Sequence, residues 1–164
     1  MVTPDVAAAA AVHRLVDRHQ TLATAESLTG GLIASTVVEI PGVSAVYRGG
    51  VVVYATDLKH ALAGVPQELL DERGPVDPDV ALELARGVRE RCSADWGVAT
   101  TGVAGPEPQD GKPVGLVYVA VAGPDGATVR ELKLEGNRAA IRTESVTSAL
   151  QLLADCLQEA SAPS

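Results

Sequence analysis

A single serine stands beside two glycines where an apolar segment gives way to a helical pattern. Residues 24–31 read TAESLTGG, between the apolar run 21–24, which predicts a strand, and the run 32–38, which predicts a helix. A junction of this kind exposes a side chain at the sheet edge and directs free backbone N–H groups toward a ligand. Ser27 is therefore a candidate nucleophile, although the pattern alone does not specify a reaction.

A base that could activate Ser27 must be a histidine or a lysine placed near it. The three histidines fall on predicted helices, where a lone histidine is usually solvated (His13, His19 and His60). Lys59 follows a β-branched strand that ends near Tyr54, so it could reach Ser27 if that strand lies beside the first one. Desolvation would then lower the lysine pKa toward neutrality. A solvated surface lysine is the alternative, and spacing alone favours it.

Other residues could bind an anionic ligand. The glycine-bearing turn 101–106 follows a predicted strand, and ligands of open α/β sheets bind beyond the carboxyl ends of strands. Arg138 and Arg142 lie one helical turn apart at the start of the last predicted helix, where they would suit a phosphate. The alternative is an exposed basic pair near Glu144.

Several classes of function are disfavoured. No GxGxxG motif occurs, Pro113 stands where a P-loop needs serine or threonine, and Ala25 and Thr29 replace the glycines of a GxSxG motif around Ser27. The net charge of −8 argues against nucleic acid as the main partner. No Cys/His spacing indicates a metal, and no cofactor is expected.

The order of predicted elements indicates an α/β fold in a single domain, residues 1–164. The helical segments are 5–19, 32–39, 56–62, 78–92 and a C-terminal helix, and the strands are 21–24, 47–55, 96–101, 114–122 and 128–134. Early alternation followed by a hairpin predicts a mixed, mostly parallel sheet with helices on both faces.

The location follows from the absence of targeting signals. Nothing at the N-terminus resembles a signal peptide, and no apolar stretch approaches the length of a membrane span. We therefore expect a cytoplasmic protein without a membrane partner. Cys92 and Cys156 fall at apolar helical positions and are expected to be buried thiols.

The motifs taken together resemble those of the CinA C-terminal domain family, the competence/damage-inducible proteins. The resemblance covers nearly the whole chain in order and spacing, and it rests on TAES at 24–27, TGG at 29–31, PG at 41–42, GGV at 49–51, Tyr54 with Lys59, GV at 64–65, TGVAGP at 101–106 and KPVG at 112–115. Some members carry a further N-terminal domain, and this chain resembles the form without it.

The resemblance implies a three-layer α/β/α sandwich that hydrolyses the carboxamide of nicotinamide mononucleotide to nicotinate mononucleotide and ammonia. It implies Ser27 as nucleophile, Lys59 as general base and Tyr54 near this dyad. It also implies a substrate site formed by Thr29, Gly30, Gly31, Thr101, Gly102, Gly105 and Arg142. Backbone N–H groups of residues 28–31 are then candidates to stabilise an oxyanion.

Three features of the expected function stay open at this stage. A catalytically silent module that binds nucleotides is the alternative to the enzyme. The family resemblance also favours a homo-oligomer, which the residues do not specify. Residues 107–110, EPQD, replace a more glycine-rich loop of the family and could change contacts with the substrate.

Overall fold

Five strands form one mixed sheet in the computed structural model, which describes residues 1–163. The strand order is β2-β1-β3-β4-β5, with β1 at Leu22–Glu26, β2 at Tyr47–Val52, β3 at Trp96–Gly102, β4 at Leu116–Gly123 and β5 at Gly126–Lys133. β1 pairs in parallel with β2 and β3, whereas β4 is antiparallel to β3 and β5. Only β4 therefore runs against the other strands, which confirms the predicted mixed, mostly parallel sheet.

Helices cover both faces of this sheet. They are α1 (Pro4–Arg18), α2 (Leu32–Val37), α3 (Thr56–Ala63), α4 (Gln67–Arg73), α5 (Pro78–Arg91) and α6 (Arg138–Glu159), with a 3-10 turn at Val43–Ala45. The sequence did not predict α4, because seven residues are too few to show a helical period. Within residues 1–163, no helix is both long enough and apolar enough to cross a membrane.

Two apolar clusters separate the layers. One cluster packs α1, α2 and α6 on one face of the sheet, with Leu15, Leu22 and Leu150 fully buried. The other packs α3, α4 and α5 on the opposite face, with Val53 and Leu84 fully buried. Alanine and valine dominate both clusters, so the helices lie close to the sheet. The three-layer α/β/α arrangement is confirmed.

Capping side chains mark where the main helices begin. The Asp77 carboxylate accepts hydrogen bonds from the amides of Asp79 and Val80, and Pro78 occupies the first helical position of α5. The Asn137 side chain likewise accepts a hydrogen bond from an amide of the first turn of α6. These caps satisfy amides that would otherwise lack partners.

The two cysteines are half-buried rather than fully buried, which corrects the sequence-based expectation. Both thiols are free. Cys92 caps the C-terminal end of α5 and packs partly against the cluster formed by α3, α4 and α5. Burial by its neighbours still raises the pKa of the Cys156 thiol above its ordinary value.

Gly87 lets two helices of the same layer meet. It lies in α5 opposite the C-terminal end of α3, and a Cβ at this position would overlap the carbonyl oxygen of Ala63. Because α3 also carries Lys59, the close approach at Gly87 helps to set the position of that lysine.

We expect Gly87→Ala to lower the free energy of unfolding by about 1–3 kcal/mol, because the added methyl group overpacks the contact with α3. Helix propensity alone predicts the opposite sign, a gain of about 1 kcal/mol. Thr143→Ala, at an exposed position of α6, is the control, because it raises helix propensity without overpacking a contact. Urea denaturation measures both variants, and a stabilised Gly87→Ala would contradict the packing argument.

Candidate active site

Ser27 lies directly after β1, in the turn that leads into α2. Its amide donates a hydrogen bond to the carbonyl oxygen of Thr100 on β3 at 3.1 Å. Gly31 ends the turn with φ of 101°, a left-handed conformation that glycine adopts without strain. The hydroxyl is thereby held at the carboxyl end of the central strands, with only 7% of the residue exposed.

Lys59 reaches this hydroxyl from the neighbouring strand and helix. β2 lies beside β1, and the chain then turns into α3, which brings the lysine back toward Ser27. Its Nζ donates hydrogen bonds to Ser27 Oγ at 3.0 Å, to the Val53 carbonyl at 2.8 Å and to the Tyr54 carbonyl at 3.2 Å. The structure therefore brings Ser27 and Lys59 together, as the neighbouring strands would allow.

The surroundings of Lys59 shift its protonation equilibrium toward the neutral form. The side chain is 1% exposed, and among residues 1–163 no carboxylate forms a salt bridge with it. Desolvation of the ammonium by burial lowers the pKa of Lys59 to about 8. In the neutral amine, two N–H groups can donate to the two carbonyls while the lone pair accepts the Ser27 hydroxyl proton. This is the arrangement that a general base requires.

Tyr54 and Arg138 lie together on the outer side of this pair. Tyr54 contacts Lys59 through its backbone carbonyl, while its hydroxyl accepts a hydrogen bond from Arg138 Nη2 at 3.0 Å. Arg138 Nη1 donates to the Gly105 carbonyl at 2.6 Å. Tyr54 is 60% exposed, so its ring stands where a ligand would enter. The arginine places a positive charge there as well.

A small cavity of about 70 Å³, partly open to solvent, connects these groups. Ser27 and Lys59 line it on one side and Arg138 on another, and its other lining residues include Thr101, Gly102, Gly105, Glu107 and Gln109. Within residues 1–163, no cluster of three or more His, Cys, Asp or Glu side chains is arranged to hold a metal ion.

The predicted binding residues fall into two groups. Thr101, Gly102 and Gly105 line the cavity. Thr101 donates its hydroxyl proton to the Pro75 carbonyl at 2.6 Å, so that side chain stabilises the wall of the cavity. A Cβ at Gly102 would lie 2.8 Å from the Leu116 carbonyl oxygen, so the close approach of β3 and β4 requires glycine.

The other predicted binding residues lie outside the set that lines the cavity. They are Thr29, Gly30, Gly31 and Arg142. Arg142 donates from Nε to the Leu28 carbonyl at 2.9 Å and from Nη2 to the Thr29 carbonyl at 3.1 Å. Of the two arginines that the sequence offered for a phosphate, Arg138 is the one that lines the cavity. The roles of all these residues in binding stay predictions.

Glu26 is a supporting residue to which the sequence analysis assigned no role. It is 1% exposed, and its carboxylate accepts hydrogen bonds from the amides of Ile33 at 2.8 Å and Ala34 at 3.1 Å. These bonds tie the start of α2 to the end of β1, on either side of the turn that contains Ser27. An acid within an apolar strand, directly before the candidate nucleophile, was the signal available in the sequence.

The fold and site together define an α/β protein with a buried Ser–Lys pair at the carboxyl edge of its parallel strands. The family model described as the CinA C-terminal domain matches residues 5–157. The chain therefore belongs to the CinA C-terminal domain family.

Curated relatives and solved structures agree with this assignment. A CinA-like protein of Frankia casuarinae is 51% identical over 139 residues, which are 85% of this chain and 32% of that protein. A CinA-like protein of a Synechococcus species is 47% identical over 152 residues, 91% of this chain and 36% of that protein. The chain thus spans about a third of the length of these relatives.

Two crystal structures resemble the whole fold. The competence/damage inducible protein CihA of Agrobacterium tumefaciens superposes with a TM-score of 0.90 at 36% identity, over 95% of this chain and 96% of that one. The competence damage-inducible protein A of Klebsiella pneumoniae superposes with a TM-score of 0.93 at 28% identity, over 97% and 99% of the two chains.

We expect Lys59 to titrate with a pKa of about 8, because burial disfavours its charged form. NMR of protein labelled with ¹³C at the lysine Cε atoms measures this midpoint, and loss of the signal in Lys59→Met assigns it. Ser27→Ala should change this midpoint little, since desolvation of Lys59 is the main cause of its lowered pKa. A midpoint near the ordinary value of 10.5 would contradict the assignment of Lys59 as a base.

Proposed function

We propose that this domain is a serine amidohydrolase that converts nicotinamide mononucleotide to nicotinate mononucleotide and ammonia. The observation that carries the proposal is the 3.0 Å hydrogen bond between Lys59 Nζ and Ser27 Oγ, formed by a buried amine without a salt bridge partner among residues 1–163. The substrate itself is suggested by resemblance to the CinA C-terminal domain family and by the cation at the cavity mouth.

The first half of the reaction forms an acyl-enzyme. Neutral Lys59 accepts the hydroxyl proton as Ser27 Oγ attacks the carboxamide carbon, which becomes tetrahedral with a negatively charged oxygen. The intermediate collapses as the C–N bond breaks, and Lys59 returns its proton to the departing nitrogen. Ammonia leaves, and the nicotinoyl group stays bound to Ser27 as an ester.

The second half regenerates the serine. Lys59, neutral again, removes a proton from water as the water oxygen attacks the ester carbon. The C–Oγ bond then breaks, and the proton passes from Lys59 to Ser27 Oγ. One water is consumed and one carboxylate is formed, with a proton released to the ammonia at neutral pH.

Backbone amides of the turn after β1 are the donors available for the developing oxyanion. The Gly30 amide is already used, because it donates to the Ser27 carbonyl at 3.0 Å. Among residues 1–163, no acceptor is hydrogen-bonded to the Leu28 amide, and Leu28 lines the cavity beside Ser27. Donors that are fixed before the reaction stabilise the transition state without further reorganisation.

Arg138 is the group suited to the substrate's phosphate. It lines the cavity away from Ser27 and begins α6, so its charge adds to the positive end of a long helix. A guanidinium has five N–H donors, and two of its nitrogens each use one here, for Tyr54 and Gly105. The remaining donors could bind phosphate oxygens.

Replacement of either member of the Ser–Lys pair should abolish turnover. We expect Ser27→Ala and Lys59→Met each to reduce ammonia release from nicotinamide mononucleotide by at least about 10³-fold, since each removes a group that reacts directly. Ser35→Ala on α2 and Lys133→Met on β5 are exposed matched controls that should retain activity. Wild-type protein that binds the nucleotide without releasing ammonia would support the silent binding module instead.

Loss of the cation at the cavity mouth should weaken binding rather than chemistry. We expect Arg138→Met to raise KM for nicotinamide mononucleotide about tenfold and to change kcat little, because a phosphate contact is equal in ground and transition states. Nicotinamide riboside, which lacks the phosphate, is the control substrate and should be insensitive to the change. An equal effect on both substrates would argue against a phosphate contact at Arg138.

A further inference from the structure

We propose that Arg142 is a positioning residue that polarises the oxyanion donors through the backbone of the turn, without touching the substrate. The proposal rests on the serine chemistry proposed above. It differs from the substrate-binding role that family resemblance implied for this residue, since Arg142 lies behind the turn and outside the lining of the cavity.

The carbonyl groups of the first three residues of the turn are all occupied. Ser27 O accepts from the Gly30 amide at 3.0 Å, and Leu28 O accepts from Arg142 Nε at 2.9 Å. Thr29 O accepts from Arg142 Nη2 at 3.1 Å and also from the Leu32 amide at 3.0 Å. Two of the three carbonyls therefore bond directly to one guanidinium.

Not every amide group of the same turn has an acceptor. The N–H groups of Leu28 and Thr29 are hydrogen-bonded to no acceptor among residues 1–163, and Leu28 lines the cavity next to Ser27. Of these two amides, only that of Leu28 belongs to a residue that lines the cavity, whereas Thr29 is fully buried.

Two hydrogen-bonded routes connect Arg142 to these amides. The short route is the peptide between Leu28 and Thr29, whose carbonyl accepts from Arg142 and whose N–H belongs to Thr29, so this route ends at a buried amide outside the cavity lining. The longer route starts at the Thr29 carbonyl, passes through the Gly30 N–H to the Ser27 carbonyl, and ends at the Leu28 N–H. A charged donor that bonds a carbonyl polarises the peptide, so the N–H of the same peptide becomes a stronger hydrogen-bond donor. Successive hydrogen bonds in a chain of this kind strengthen one another.

The charge of Arg142 is available for this purpose. Among residues 1–163, no carboxylate forms a salt bridge with it, and its side chain is half-buried, where the field is screened less than in water. Its effect should therefore appear where negative charge develops on the substrate, in the transition state, and hardly at all in the ground state.

The kinetic test compares three arginine variants. Arg142→Met should lower kcat about 10- to 100-fold and leave KM for nicotinamide mononucleotide within about threefold, the reverse of the pattern expected for Arg138→Met. Arg89→Met is the matched control, because Arg89 also donates from Nε to a backbone carbonyl, that of Asp95, on a different part of the surface. A rise in KM with unchanged kcat for Arg142→Met would overturn the proposal.

A second measurement separates polarisation from simple loss of structure and does not require turnover. Pyridine-3-boronic acid is the probe: Ser27 Oγ adds to boron, Lys59 takes the proton, and the anionic tetrahedral boronate mimics the transition state. By titration calorimetry, Arg142→Met should weaken boronate binding by the same factor by which it lowers kcat. Binding of neutral nicotinamide, which is the ground-state control, should stay unchanged. The amide NMR spectrum outside residues 27–31 should stay unchanged as well.

The outcomes separate this proposal from the proposed function. If wild-type protein binds the boronate but does not hydrolyse the nucleotide, and Arg142→Met weakens that binding, the role of Arg142 stands and the substrate assignment falls. If Arg142→Met binds the boronate as tightly as wild type, the role of Arg142 is wrong even when the enzyme is active. Equal weakening of boronate and nicotinamide would also overturn it, because a collapsed turn affects both ligands.

Discussion

The burial of one lysine amine is the constraint on which the site depends. An amine without a carboxylate partner is costly to bury in its charged form, and this cost is what lowers the pKa of Lys59 to about 8. The fold offsets part of the cost with the carbonyls of Val53 and Tyr54, which come from the segment between β2 and α3. The close contact of α5 with the C-terminal end of α3, at Gly87, helps to set the position of the helix that carries Lys59.

The site is assembled from both faces of the sheet. α3, on one face, brings the candidate base to Ser27, while α6, on the other face, carries Arg138 and Arg142. The turn after β1 lies between them: its Leu28 and Thr29 carbonyls accept from Arg142, and its Leu28 amide, which has no acceptor among residues 1–163, belongs to a residue that lines the cavity. A three-layer sandwich suits this division because ligands bind where the carboxyl ends of strands leave both layers accessible.

Much of the site could be predicted from local patterns and family resemblance. The serine at the strand-to-helix turn was visible in residue types and spacing, and the Ser–Lys partnership came from resemblance. The two arginines were different. Arg138 and Arg142 lie four residues apart on one helix, so their spacing could not distinguish the residue at the cavity from the one behind the turn. Only the packing of α6 against the turn assigned these positions.

The sequence by itself determined the elements and their order, because helix caps, apolar periods and turn glycines act over a few neighbouring residues. It also determined that a hydroxyl would stand at the end of a central strand. Tertiary structure alone decided that Lys59 would be buried against that hydroxyl and that the Tyr54 carbonyl, rather than its ring, would contact the amine. The physical reason is that desolvation depends on segments distant in sequence, here β1, β2 and α3, which meet only in the folded chain.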